Sequence, residues 1–176
     1  VHPTAAAFCR KLAGNRDEGD DVYQDAVLAA LRKFRDLRDV SAFRPWLFRI
    51  IVNTCKNRYR GAWRRRRETG ADEAILESSA GSDPRAAYEN RRLLGRALAV
   101  LSAEDRALVI LHEIQGWSLT ELAAMTHQPE GTVKTRLFRA RRKMRDWLMR
   151  HLPEANGHGI QTEATYALQG SQTTDD

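Results

Sequence analysis

Lys134, Thr135, Arg136, Arg139, Arg141 and Arg142 are the residues of this chain best equipped to hold a polyanion. Ammonium and guanidinium groups grip phosphate oxygens, and an arginine can also pair bidentately with the O6 and N7 edge of guanine. Between Lys134 and Arg150 stand eight Lys or Arg residues and a single acid, Asp146. A second basic run, Lys56 to Arg67, carries seven cations and no acid. Asn53 and Asn57 lie one helical turn apart beside that run, and their amides can donate to and accept from a base edge without bringing a charge that must be desolvated. Asp20, Asp21, Gln24 and Asp25 have the opposite character. An acidic helix start suits the positive end of the helix dipole, and an acidic exposed face suits a basic protein partner better than DNA.

Helices must position all of these groups. Val133, Leu137, Ala140, Met144 and Leu148 recur at three- and four-residue spacing, so the basic residues from 134 onward flank a buried stripe. Upstream, Ser118 with Glu121 three residues later forms a capping box for a short helix bearing Leu119, Leu122, Ala123 and Met125. Pro129 ends the continuity between the two helices, because it lacks an N–H and clashes with the preceding turn. A short helix, a tight turn and a basic second helix make a helix-turn-helix, whose second helix enters the major groove. Phe138 can pack in the core or touch a thymine methyl, with packing favoured; His127 in the turn reads as a plain surface residue.

Further helices are expected over Ala5 to Ala13, over Asp17 to about Phe34 with Val22, Ala26, Val27, Ala30 and Leu31 inward, and from a Ser41 cap through Arg60 or beyond. The last of these places Phe43, Leu47, Ile50, Ile51 and Thr54 inward, and Trp46 reads as core rather than as a stacking platform. Residues 68–83 contain Gly70, Gly81 and Ser78-Ser79-Ala80 and read as a linker. Asp83-Pro84 signals a helix start, with Leu93, Leu94, Ala97, Leu98 and Leu101 at helical spacing. Ser102 with Asp105 caps another helix that ends at Gly116. No segment alternates as a strand, so the chain is expected to be all-α. It divides into a helical module at 1–67, a flexible linker at 68–83, a helix-turn-helix module at 84–150 and a disordered acidic tail at 151–176.

The 176 residues carry a net charge of +6, which favours a polyanionic partner. Cys9 and Cys55 are the two cysteines, in no metal-ligand spacing, and are expected to be reduced thiols. No apolar run reaches the ~20 residues that span a bilayer. No nucleophile–base pair, phosphate loop or metal cluster is visible, so no enzyme, cofactor, metal or small-molecule substrate is expected.

These residues resemble a known family, the bacterial extracytoplasmic-function (group 4) sigma factors of RNA polymerase. Asp21-Val22-Tyr23-Gln24-Asp25-Ala26 is similar to the family's core-binding helix. The run from Phe43 to Thr54 is similar to its promoter-melting helix. Gly131-Thr132-Val133-Lys134-Thr135-Arg136-Leu137-Phe138-Arg139-Ala140-Arg141 is close to the signature of its second domain. The family usually has a longer leading segment, and this chain starts at Val1 rather than Met, so the natural start is expected to lie upstream.

The resemblance implies that Asp20, Asp21, Gln24 and Asp25 meet the β′ clamp helices of core RNA polymerase, with the β flap as a further contact. It places Phe34, Arg49, Asn53, Lys56, Asn57 and Arg60 at the −10 element. Thr132, Lys134, Thr135, Arg136 and Arg139 fall at the −35 element, with Arg141 and Arg142 on phosphates. It also implies promoter DNA and an anti-sigma factor as partners, in the bacterial cytoplasm or held at the inner membrane. Two alternatives are a sigma-like decoy, which would lack the recognition cations, and a solitary helix-turn-helix repressor, which would need a dimerisation helix.

Overall fold

Asn15 opens the first long helix. Its side-chain oxygen accepts from the Glu18 amide at 2.8 Å, and Asp17 and Glu18 sit in the positive first turn. The computed structural model describes residues 2–59 and 84–152. Every regular element among them is helical, as expected. One group comprises α1 (His2–Ala13), α2 (Arg16–Lys33) and α3 (Phe43–Tyr59); two short 3-10 turns, Phe34–Asp36 and Val40–Ala42, join the last two. The second group comprises α4 (Pro84–Ala99), α5 (Ala103–Val109, prolonged by a π turn at Ile110–Ile114), α6 (Leu119–Thr126) and α7 (Glu130–His151). Arg60, the linker, the Asp83 cap and the tail from 153 lie outside the described residues.

Gly19 brings α1 and α2 together. A Cβ at that position would stand 2.3 Å from the Arg10 Cα, so only glycine permits this approach. Ala5, Phe8, Cys9 and Leu12 of α1 then pack on Val22, Ala26 and Ala30 of α2. Leu31, expected inward, is 68% exposed. It lies beyond the narrow seam that alanines allow.

Two sequence expectations for α3 change. Ser41 does not cap it directly: Asp39 accepts from the Ser41 amide at 2.8 Å, and the 3-10 turn this forms runs on into the helix. The buried set is Leu47, Phe48, Ile51, Val52, Cys55 and Tyr59, with Phe43 and Ile50 half-buried. The rotation has a cause. α3 is covered on two faces, by α1 and α2 on one side and by α5 and α6 on the other.

In the second group Ser102 accepts from the Asp105 amide at 3.1 Å, and the Ser118–Glu121 capping box is formed as expected. Gly116, at φ 66, ends the π turn and lets Trp117 turn back, its amide donating to the Leu111 carbonyl at 3.0 Å. Trp117 is thereby driven into the core, 1% exposed.

The two groups pack against each other. Phe48 lies between Phe8, centroids 5.0 Å apart, and Trp117, at 4.9 Å. The Arg44 guanidinium stacks 4.3 Å from the Trp117 ring and donates to Glu121 at 2.9 Å. Lys56 donates to Glu104 at 2.5 Å. Arg106, 5% exposed, donates to the Leu98 carbonyl of α4 and, at 3.2 Å, to the Leu12 carbonyl of α1. One buried cation thus answers the negative ends of two helices from different groups.

Candidate nucleic-acid interface

The helix-turn-helix is set by its turn. His127 ends α6 in the left-handed region, at φ 52, with its amide donating to the Ala123 carbonyl; Pro129 then starts α7. Val133, Leu137, Ala140 and Met144 are buried, which fixes the rotation of α7. Thr132, Lys134, Thr135, Phe138, Arg139 and Arg142 are left facing outward.

Two residues depart from their expected places. Arg136 is turned inward, its side chain 21% exposed. It donates to Asp105 through Nε at 3.0 Å and Nη2 at 2.7 Å, and to Gln128 at 3.1 Å; Glu104 is 3.5 Å away. It therefore braces α7 against α5 and stands apart from the outward row. Phe138, expected to pack, is 62% exposed within that row. Of the two expected phosphate contacts, Arg141 pairs with Glu113, and Arg142 lies 3.9 Å from Asp146 on its own helix.

On α3, Arg49, Asn53 and Asn57 form an exposed i, i+4, i+8 row. Lys56, beside it, is the cation paired to Glu104. Phe34 is 56% exposed, and Trp46 is half-buried against Phe43. Arg49, Val52 and Asn53 share a cavity of about 140 Å³ with Glu104, Met125, Thr126, Gln128 and Arg136. Residues expected at two different promoter elements therefore meet at one seam.

The acidic face of α2 is neutralised from within. Asp20 takes Arg10 at 2.7 Å, and Arg58 of α3 bridges Asp21 at 2.6 Å and Asp25 at 2.5 Å. The hydrogen bond to Asp25, foremost, pushes the Arg58 guanidinium further up. Gln24 remains exposed, and Leu28, Leu31 and Phe34 continue from it as an exposed apolar row. Sequence reasoning missed that row. Its signal was the offset of Leu28 and Leu31 from the Val22–Ala26–Ala30 stripe. Next to Arg58, burial pushes the Tyr59 phenol up to about 12.

Comparison with known proteins agrees with this layout. The family model for Sigma-70 region 2 matches residues 1–65, and that for Sigma-70, region 4 matches residues 91–144. The ECF RNA polymerase sigma factor SigM of Mycobacterium tuberculosis is 34% identical over 143 residues, covering 81% of this chain and 70% of that protein. The chain belongs to the ECF RNA polymerase sigma factors. The ECF sigma-E factor of Escherichia coli K12 is 35% identical over 131 residues, covering 69% of each chain. Two solved structures are similar as well. The sigma factor RpoE of Bartonella quintana, in complex with the anti-sigma factor NepR, matches 84% of this chain and 91% of that one, with TM-score 0.57 and 30% identity. CnrH, in complex with the cytosolic domain of CnrY, matches 85% and 84%, with TM-score 0.59 and 28% identity. This sigma factor directs promoter-specific transcription initiation, with α1–α3 inside the region 2 match and the region 4 match running from within α4, through α5 and α6, into α7. No described helix of it is long and apolar enough to cross a membrane.

Proposed function

We propose that this sigma factor reads the −35 element with Thr132, Lys134, Thr135, Phe138 and Arg139, and catches the opened −10 strand with Arg49, Asn53 and Asn57. The observation that carries this reading is the pair of solvent-facing rows, one on α7 and one on α3, each held by a buried stripe beneath it. Lys134 and Arg139 suit phosphates and guanine edges, and Phe138 offers an apolar contact to a thymine methyl. Arg142 is a backbone contact. Arg136 acts through α7's position and not at a base. Lys56 and Arg60 follow the −10 strand's phosphates, and Phe34 is a stacking surface for an unpaired base.

Residues 1–67 form the module that binds core polymerase and the −10 element, 68–83 the linker, 84–150 the −35 module and 151–176 an acidic tail. Gln24, Leu28 and Leu31 supply the contact with the β′ clamp helices; Asp20, Asp21 and Asp25 frame it from their internal ion pairs. The protein is non-catalytic. It works in the bacterial cytoplasm under an anti-sigma factor, a reading supported by the similar RpoE structure, solved with the anti-sigma factor NepR, and by CnrH, solved with the cytosolic domain of CnrY.

Transcription in vitro with purified core enzyme tests the proposal. Lys134→Ala with Arg139→Ala is expected to abolish −35 selectivity while core binding persists. Asn53→Ala is expected to impair strand opening more than core binding. Loss of neither, with folded protein, would overturn the assignment.

A further inference from the structure

Arg44, Phe48, Val52 and Lys56 form an i, i+4, i+8, i+12 row on α3 that faces the second helical group. The row ends in cations about 18 Å apart, at 1.5 Å per residue. Between them lie Phe48 and Val52; beyond them stand Glu121 and Glu104. The adjacent row on the same helix is Arg49, Asn53 and Asn57. Lys56 therefore borders both the seam and the strand-contacting face.

We propose that Lys56 is a shared cation: Glu104 holds it while the two groups are closed, and a DNA phosphate takes it when α3 engages a strand, so that DNA binding itself releases the seam. This rests on the reading of α3 as the strand-contacting helix.

Three features support the exchange. The closed arrangement cannot read a promoter, because it holds α3 against the second group, with Asn53 in a cavity of about 140 Å³ shared with Glu104, Met125 and Gln128. Elements centred near −10 and −35 are roughly 85 Å apart, at about 3.4 Å per base pair. The groups must separate, and the 24 positions from 60 to 83 are long enough to bridge up to roughly 86 Å if fully extended. Next, the Lys56–Glu104 pair is half exposed, at 45% and 41% for its side chains, so a competing anion reaches it without burying a charge. Finally, the Trp117 indole N–H is buried with no acceptor among the described residues, a cost of closure that opening to water removes. Arg136, by contrast, keeps Asp105 in either state, since both belong to the second group.

The test uses the full chain with spin labels at Arg32→Cys and Met149→Cys, both exposed, while Cys9 and Cys55 are fully buried. Distance distributions between the labels read the open-to-closed ratio. Glu104→Gln is expected to raise that ratio roughly two- to five-fold, the range of one exposed ion pair; Glu104→Lys should raise it further. The exchange pair Lys56→Glu with Glu104→Lys should restore closure. A mixed-sequence single-stranded DNA oligonucleotide should open the wild type but leave the exchange pair closed, because its cation no longer sits on α3. Unchanged distances in Glu104→Lys, or opening of the exchange pair by the oligonucleotide, would overturn the proposal. Promoter-directed transcription of the wild type is measured alongside. Normal transcription with unmoved distances removes the shared cation and leaves the assigned function. Absent transcription with the distances moving as stated removes the assigned function and leaves the exchange.

Discussion

In the proposed reading α3 and α7 both carry cations toward nucleic acid, yet they hold them differently. On α7 the outward row of Lys134 and Arg139 has no acid against it among the described residues, and the inward-facing Arg136 and Arg141 take the carboxylates. On α3 the balance shifts: Arg44, Lys56 and Arg58 are each bound to a carboxylate of another helix, and the outward row is Arg49 with the uncharged Asn53 and Asn57. A helix for duplex DNA can stand ready, because a phosphate ladder is always presented in the same way. A helix for a bared strand works on a transient substrate, and three of its cations serve the protein's own architecture until that substrate exists.

Truncating the shared core of this contrast should have the largest effect. Phe48→Ala removes the ring between Phe8 and Trp117 and is expected to cost about 3–5 kcal/mol in chemical denaturation. A smaller loss would mean that the seam collapses to fill the space. Next in size are the two arginines of α7. Arg139→Ala should cost roughly 1–3 kcal/mol at one base pair of the −35 element. Arg136→Ala should lower binding evenly across sequences and lower the unfolding midpoint. If Arg136→Ala altered preference at a single base pair, the contrast between inward and outward cations would fail.

The smallest effect concerns pH. The Tyr59 phenol is raised from its ordinary 10 to about 12 by burial, so the fold favours its neutral form. Its contribution to stability is complete below pH 10 and is lost as the pH climbs from 10 to about 12. Phenolate absorbance in Tyr59→Phe against the wild type checks it, and a titration centred at 10 would place the ring in water.

Much of this architecture was legible because its causes are local. The Ser118–Glu121 capping box, the break at Pro129 and the Val133–Leu137–Ala140–Met144 stripe depend on neighbours within a few residues. Arg136 was legible in part: it stands three residues after Val133 and four before Ala140, so it borders the buried stripe. Its partner Asp105, 31 residues away, was not. The seam was hidden for the same reason, since Arg44 meets Glu121 across 77 residues and Lys56 meets Glu104 across 48. Ser41 misled because Asp39 competes for the same role two positions earlier. Leu31 misled because hydrophobicity marks a surface to be covered without saying whether the chain or another molecule covers it.

Trp117 gives the molecule an optical signal of its own. An indole sealed between Phe48 and the Arg44 guanidinium emits toward the blue, and hydration of its ring nitrogen shifts the emission to the red. The difference spectrum between wild type and Trp117→Phe would isolate that component from the other tryptophans, so the parting of the two halves could be followed in real time without any attached dye.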